Sequence, residues 1–193
     1  PSHSIDTVVF ALFTASCLAC MFFSVAFHLF TSLAVPWFQR FYALDLLGIS
    51  CLILGSFLVG VYQIFLCQPV YIVLYVGIVV AGVSVSGVLA IVPKFRTAAH
   101  DPLRKMVFVA TVGSAVFPIS HWVASCSAVG FTGIMCEPRL FGSCLGMLGL
   151  YGAGFCVYVS RVPERWLPGV FDYVGHSHQW WHGLVLAAAW LWF

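Results

Sequence analysis

Charge is the scarcest feature of this sequence. Asp, Glu, Lys and Arg make up only 7% of 193 residues, as eight basic and six acidic side chains. So few charges exclude a solvated, disordered chain, and they leave no basic stripe for nucleic acid to follow. Internal repeats and low-complexity linkers are missing too, and the eight cysteines follow no zinc-knuckle spacing. Nothing between the apolar runs is long enough to build a separate soluble domain.

What is present is apolar. Hydrophobic residues reach 62%. Uncharged or nearly uncharged runs cover Thr7 to Phe30, Leu46 to Leu66, Val70 to Val92, Met106 to Gly130, Leu140 to Ser160 and Ser177 to Phe193. A bilayer-spanning helix needs about 20 such residues, whereas barrel strands alternate apolar and polar positions over roughly ten. These runs are apolar on every face. The sequence therefore predicts an all-α integral membrane protein, a polytopic bundle of six transmembrane helices forming one transmembrane domain over residues 1–193.

Six passes place the connections around 31–41, 93–105 and 161–176 on one side. They carry Arg40, Lys94, Arg96, Arg104, Lys105, Arg161 and Arg165, against Arg139 alone on the other side. Cytoplasmic loops hold the excess of Lys and Arg, so the first side is expected to be cytoplasmic. Arg161, Glu164 and Arg165 are expected to form an interfacial ion pair and a headgroup contact. The chain opens on Pro1 and its last run is short, which together predict a fragment lacking an upstream helix.

Depth then gathers the polar residues. His28 closes the first run, His178 and His182 open the last, and Asp45 enters the second from the same side. Ionisable groups inside a membrane are expensive and face a cavity or a partner, so four in one layer point to a site. His178 and His182 stand at i and i+4, on one helical face, the spacing of paired zinc ligands. His28 would complete a three-nitrogen set with the fourth position open to water, as in catalytic zinc. Asp45 would hold or deprotonate that water. Ser24, at i−4 to His28, would orient its ring or line the cavity. Without a metal, the same residues would tie three helices together through hydrogen bonds worth about 1 kcal/mol or less each.

The remaining polar positions are quieter. His176 lies about 200° around a helix from His178 and is expected to cap or face the loop. His121, after Pro118, is expected to be a hydrogen-bonded buried histidine. Cys17 and Cys20 form a CxxC inside a span, where packing is the expected use. Cys126 and Cys136 bracket an outer loop where a disulfide is one reading, with Cys67 as another partner. Gly142, Gly146, Gly149 and Gly152 permit close helix approach within the bundle, or across a homodimer face.

The stretches SVAFH (24–28), ALDLLGIS (43–50), SAVFPISH (114–121) and VPERWLPGVFDYVGHSHQWWH (162–182) resemble the progestin and adipoQ receptor family, and its membrane progestin receptor branch in particular. The resemblance implies seven helices, of which the first has no counterpart here, and a zinc ion near the cytoplasmic face held by His28, His178 and His182 with Asp45 facing its water. It implies a receptor in the plasma membrane or an internal one, binding a steroid or other lipid and passing a signal to a cytoplasmic partner. Trp180 and Trp181 depart from the aliphatic and Phe pair expected between the ligands. A zinc-dependent hydrolase of amide-linked lipids such as ceramide is the alternative, and a transporter or scaffold with a structural polar layer the third reading.

Overall fold

A computed structural model of the chain describes residues 2–30, 35–128, 136 and 138–192. It is all helical: α1 (Ser2–Phe30), α2 (Val35–Ile64), α3 (Pro69–Ile91), α4 (Asp101–Gly113), α5 (Val116–Ala128), α6 (Pro138–Ser160) and α7 (Ser177–Trp192). Among the described residues, five segments are long and apolar enough to cross a membrane, namely Ser4–Phe30, Val35–Ile64, Pro69–Ile91, Ala98–Ala128 and Arg139–Ser160. The 16 residues of α7 are apolar but shorter. The helices fall into two compact units, Pro1–Gly130 and Phe131–Phe193.

In the first unit, neighbours in sequence pack on one another, α1 on α2, α2 on α3 and α3 on α4. Val9, Phe13, Cys20 and Ser24 recur on one face of α1 and are buried. The other face shows Leu18, Phe22, Val25 and Leu29, each 56–68% exposed. A continuous apolar stripe of that kind suits acyl chains, not water. Facing α1, α2 turns small residues inward. A Cβ added at Gly48 would lie 2.9 Å from the Cys20 Cα, a backbone atom that cannot swing away. Gly48→Ala is therefore expected to destabilise the unit by about 1–3 kcal/mol, read as a lower thermal midpoint in detergent.

Two boundaries differ from those expected. α2 begins at Val35 instead of near Leu46, because Pro36 in the first turn gives up an N–H with no intrahelical partner anyway. The early turns carry Trp37 with the Arg40 guanidinium 4.9 Å from its ring. Scarcity of charge marks where a helix enters the bilayer, not where it starts. The run Met106 to Gly130 is also two helices. Pro118 lacks the N–H that would reach the Ser114 carbonyl, and that carbonyl instead accepts from Phe117 N–H at 3.1 Å.

Polar groups fix both ends of this unit. Near one end, Tyr62 donates to Asp6 at 2.6 Å, and the Tyr75 hydroxyl lies 2.9 Å from His121 Nδ1, with Tyr71 edge-on at 4.4 Å and Phe65 at 5.1 Å. His121 is thus the hydrogen-bonded histidine its sequence position suggested. At the other end, Arg104 is 5% exposed. Its guanidinium donates to the carbonyls of Phe95 at 2.5 Å and Thr97 at 3.1 Å, to the Tyr42 hydroxyl at 3.0 Å and to Asp101 at 3.1 Å. Arg96 reaches the Gln39 carbonyl at 2.5 Å. The connection from α3 to α4, built of short 3-10 turns at Pro93–Arg96 and Ala98–His100, is therefore clamped to α2.

In the second unit α6 packs on α7. A Cβ on Gly154 would meet the Trp181 ring at 3.0 Å and Leu184 at 3.2 Å, and one on Gly146 would meet Leu191 at 2.6 Å. Gly142, Gly149 and Gly152 face open space. Of the expected glycine row, Gly146 serves this helix pair, as does Gly154. Cys126 and Cys136 are each disulfide-bonded, while Cys17, Cys20, Cys51, Cys67, Cys144 and Cys156 are free thiols.

Candidate metal centre

The N-terminal turn of α7 presents the histidine pair. His178 Nε2 and His182 Nε2 lie 3.1 Å apart, both half-buried, with their rings edge-to-face at 4.7 Å. Two nitrogens each bound at about 2.0–2.1 Å to a tetrahedral zinc stand about 3.3 Å from one another. The pair therefore already has the separation that one ion needs. Tyr158 of α6 lies beside it, its ring 5.6 Å from His178 and 6.0 Å from Trp181, and Trp181 in turn meets Phe155 at 6.4 Å. Those aromatic walls fix Trp181 against α6, whereas Trp180 is 56% exposed.

The start of α7 is held from a distance. Both oxygens of Glu164 accept from Ser177, one from its N–H at 2.8 Å and the other from its hydroxyl. This replaces the ion pair with Arg161 and Arg165 expected from sequence, because the unpaired N–H groups of a helix start are a better-placed donor set. His176 lies just before the helix, its carbonyl accepting from Gln179 and its ring 6.4 Å from that of His178. Burial works to raise the Glu164 pKa, but the two bonds from Ser177 outweigh it and hold the carboxyl below the usual carboxylate range. A carboxylate depressed in the folded state stabilises above its unfolded pKa and loses that effect as pH falls through the folded value. Glu164→Gln is thus expected to reduce amide protection of the first turn of α7 at neutral pH, with the difference from wild type shrinking as pH falls through the depressed folded pKa of the carboxyl. Hydrogen exchange resolved to 177–182 reads it.

The remaining predicted residues belong to the first unit. Ser24 is buried on α1, and its hydroxyl hydrogen-bonds the Asp45 carboxyl of α2. His28 lies one turn further along α1, close enough for its charge to act on Asp45, and its ring is 5.1 Å from Phe27. Phe27 meets Tyr42 at 5.5 Å, which connects this corner to the Arg104 clamp. Sequence reading gave Ser24 to the histidine ring or to the cavity wall; its carboxylate partner was missed. Tyr158 and Glu164 were missed as neighbours of the pair as well. Glu164 and Ser177 stand 13 positions apart, a separation that carries no capping signature.

The apolar, all-helical chain is similar to known polytopic membrane proteins. The haemolysin-III-related family matches residues 1–193, the whole chain. Adiponectin receptor protein of Drosophila melanogaster is 39% identical over 98% of this chain and 42% of its own length. Heptahelical transmembrane protein ADIPOR2 of Oryza sativa subsp. japonica is 37% identical over 92% of this chain and 76% of its own. Progestin and adipoQ receptor family member 3 of Homo sapiens is 34% identical over 90% of this chain and 55% of its own. The chain belongs to the haemolysin-III-related family, that of the progestin and adipoQ receptors. It spans about half the length of most curated relatives it matches.

Proposed function

We propose that the chain is the core of a membrane receptor for a steroid or other lipid, with a zinc ion held by His28, His178 and His182. The observation that carries this reading is the 3.1 Å separation of the His178 and His182 nitrogens. When bound, zinc on three histidines supplies a Lewis acid with one open position, able to polarise an oxygen donor or acidify water. The chain's own residues do the rest. Ser24 orients the Asp45 carboxyl, which accepts a hydrogen bond from water or from a ligand hydroxyl; Trp181, walled by Tyr158 and Phe155, excludes water from one side of the pair. The plasma membrane, with the zinc layer towards the cytoplasm, is the setting this implies. The disulfide state of Cys126 and Cys136 agrees with an oxidising opposite side.

The Ser24–Asp45 bond also favours a second reading, a zinc-dependent hydrolase of an amide-linked lipid, because an oriented carboxylate is what a general base requires. Asp45→Asn separates the two. For the hydrolase, release of fatty acid from a ceramide panel is expected to fall about 10²–10⁴-fold while zinc stays bound. For the receptor, zinc, steroid binding and signalling all persist. A purified, monodisperse wild type without zinc overturns both.

A further inference from the structure

We infer that residues 161–176, the connection from α6 to α7, form a loop embedded in the lipid interface of the leaflet it borders, its partner being the bilayer itself. The segment is folded, not loose. Arg165 N–H donates to the Arg161 carbonyl at 2.8 Å and Trp166 N–H to that of Pro163 at 2.9 Å, closing its first half. The Gln179 side chain accepts from Gly175 N–H at 2.6 Å and donates to the Tyr173 carbonyl at 3.0 Å, while Glu164 holds Ser177. Gly175, at φ +84°, turns the chain into α7 where a side chain would be strained.

The side-chain fastening, from Gln179 and Glu164, points back to the start of α7. Beside the exposed charges of Arg161, Arg165 and Asp172, what the loop turns outward is apolar: Trp166 is 72% exposed, Leu167 52%, Val170 66%, Tyr173 91% and Val174 77%. Five large apolar side chains on one ordered loop would be an aggregation surface in water. Both ends of the loop are fixed at helix termini, Ser160 of an apolar span and Ser177 of α7, so its 16 residues cannot travel far from the membrane surface. Trp and Tyr are the side chains that settle at the headgroup level, and Arg161 and Arg165, both exposed, stand ready for anionic headgroups. Charge and apolar surface together thus fit a phospholipid interface better than a cytosolic protein, whose docking face would have to match both. The inference is independent of any metal.

The test places the photoreactive residue p-benzoylphenylalanine at Trp166 or Tyr173 in the full chain. The protein is reconstituted in phosphatidylcholine vesicles with or without phosphatidylserine, irradiated and analysed by mass spectrometry. Val73, 73% exposed on the α3 span, serves as the lipid-facing reference. Lipid adducts at both loop positions, in yields of the same order as at Val73, are expected. Phosphatidylserine enrichment among them should fall up to about fivefold for each of Arg161→Gln and Arg165→Gln. Adducts at Val73 with none at the loop overturn the inference. Adducts to a second polypeptide in cell membranes, in place of lipid, overturn it equally.

Discussion

Purified protein carrying His178→Ala and His182→Ala is expected to hold no zinc where the wild type holds about one ion per chain, measured by elemental mass spectrometry. The expectation follows from the geometry of the pair. Two nitrogens 3.1 Å apart on successive turns must either share a proton or direct their lone pairs at a common ion. If they only shared a proton, the pair would contribute about 1 kcal/mol or less, and the double variant would unfold almost as the wild type does. If they hold zinc, free metal at a thousand times its dissociation constant stabilises the folded chain by about 4 kcal/mol. The wild type treated with a chelator should then unfold at the temperature of the double variant. Equal zinc in both proteins would remove His178 and His182 from the ligand set.

The second large effect lies away from the histidines. Arg104→Ala is expected to destabilise the first unit by about 3 kcal/mol, visible as lost amide protection over 93–100 and a lower thermal midpoint. The ion pair with Asp101 supplies little of this, since that carboxylate is 40% exposed and Lys105 also reaches it at 2.7 Å. The larger part comes from the carbonyls of Phe95 and Thr97 and the Tyr42 hydroxyl, which lose a charged donor, at about 1–3 kcal/mol for each group left unsatisfied. Arg104→Lys should not restore the loop. A single ammonium cannot serve acceptors spread around a planar fork. Unchanged protection over 93–100 in Arg104→Ala would show that the clamp is not what orders the connection.

Arg104 also shows where reading the sequence stops. In the sequence it counts as one of seven basic residues on the side expected to be cytoplasmic, yet the side chain is buried and works as a hub. Charge bias depends on the number of residues in a loop, whereas a hydrogen-bond hub depends on where four acceptors meet, one of them, Tyr42, on another helix. The membrane class and most helices were legible because hydrophobic runs are local. The His178–His182 pairing was legible for the same reason, since i and i+4 fix a shared face before any tertiary contact forms. Proline chemistry explains both boundary differences, at Pro36 and at Pro118, but only once charge is no longer used as the helix boundary. The Ser24–Asp45 and Glu164–Ser177 bonds could not be read. Each joins residues brought together by helix packing or by a folded loop, and neither leaves a periodic trace.

The Glu164–Ser177 bond has a mechanical meaning beyond stability. Ser177 and His178 share a peptide plane, so the imidazole is aimed by whatever sets the first turn of α7. That turn is gripped by a carboxylate anchored in the preceding loop. A shift of Glu164 would therefore bear on Ser177 and, through the peptide the two residues share, on the backbone that carries the His178 ring.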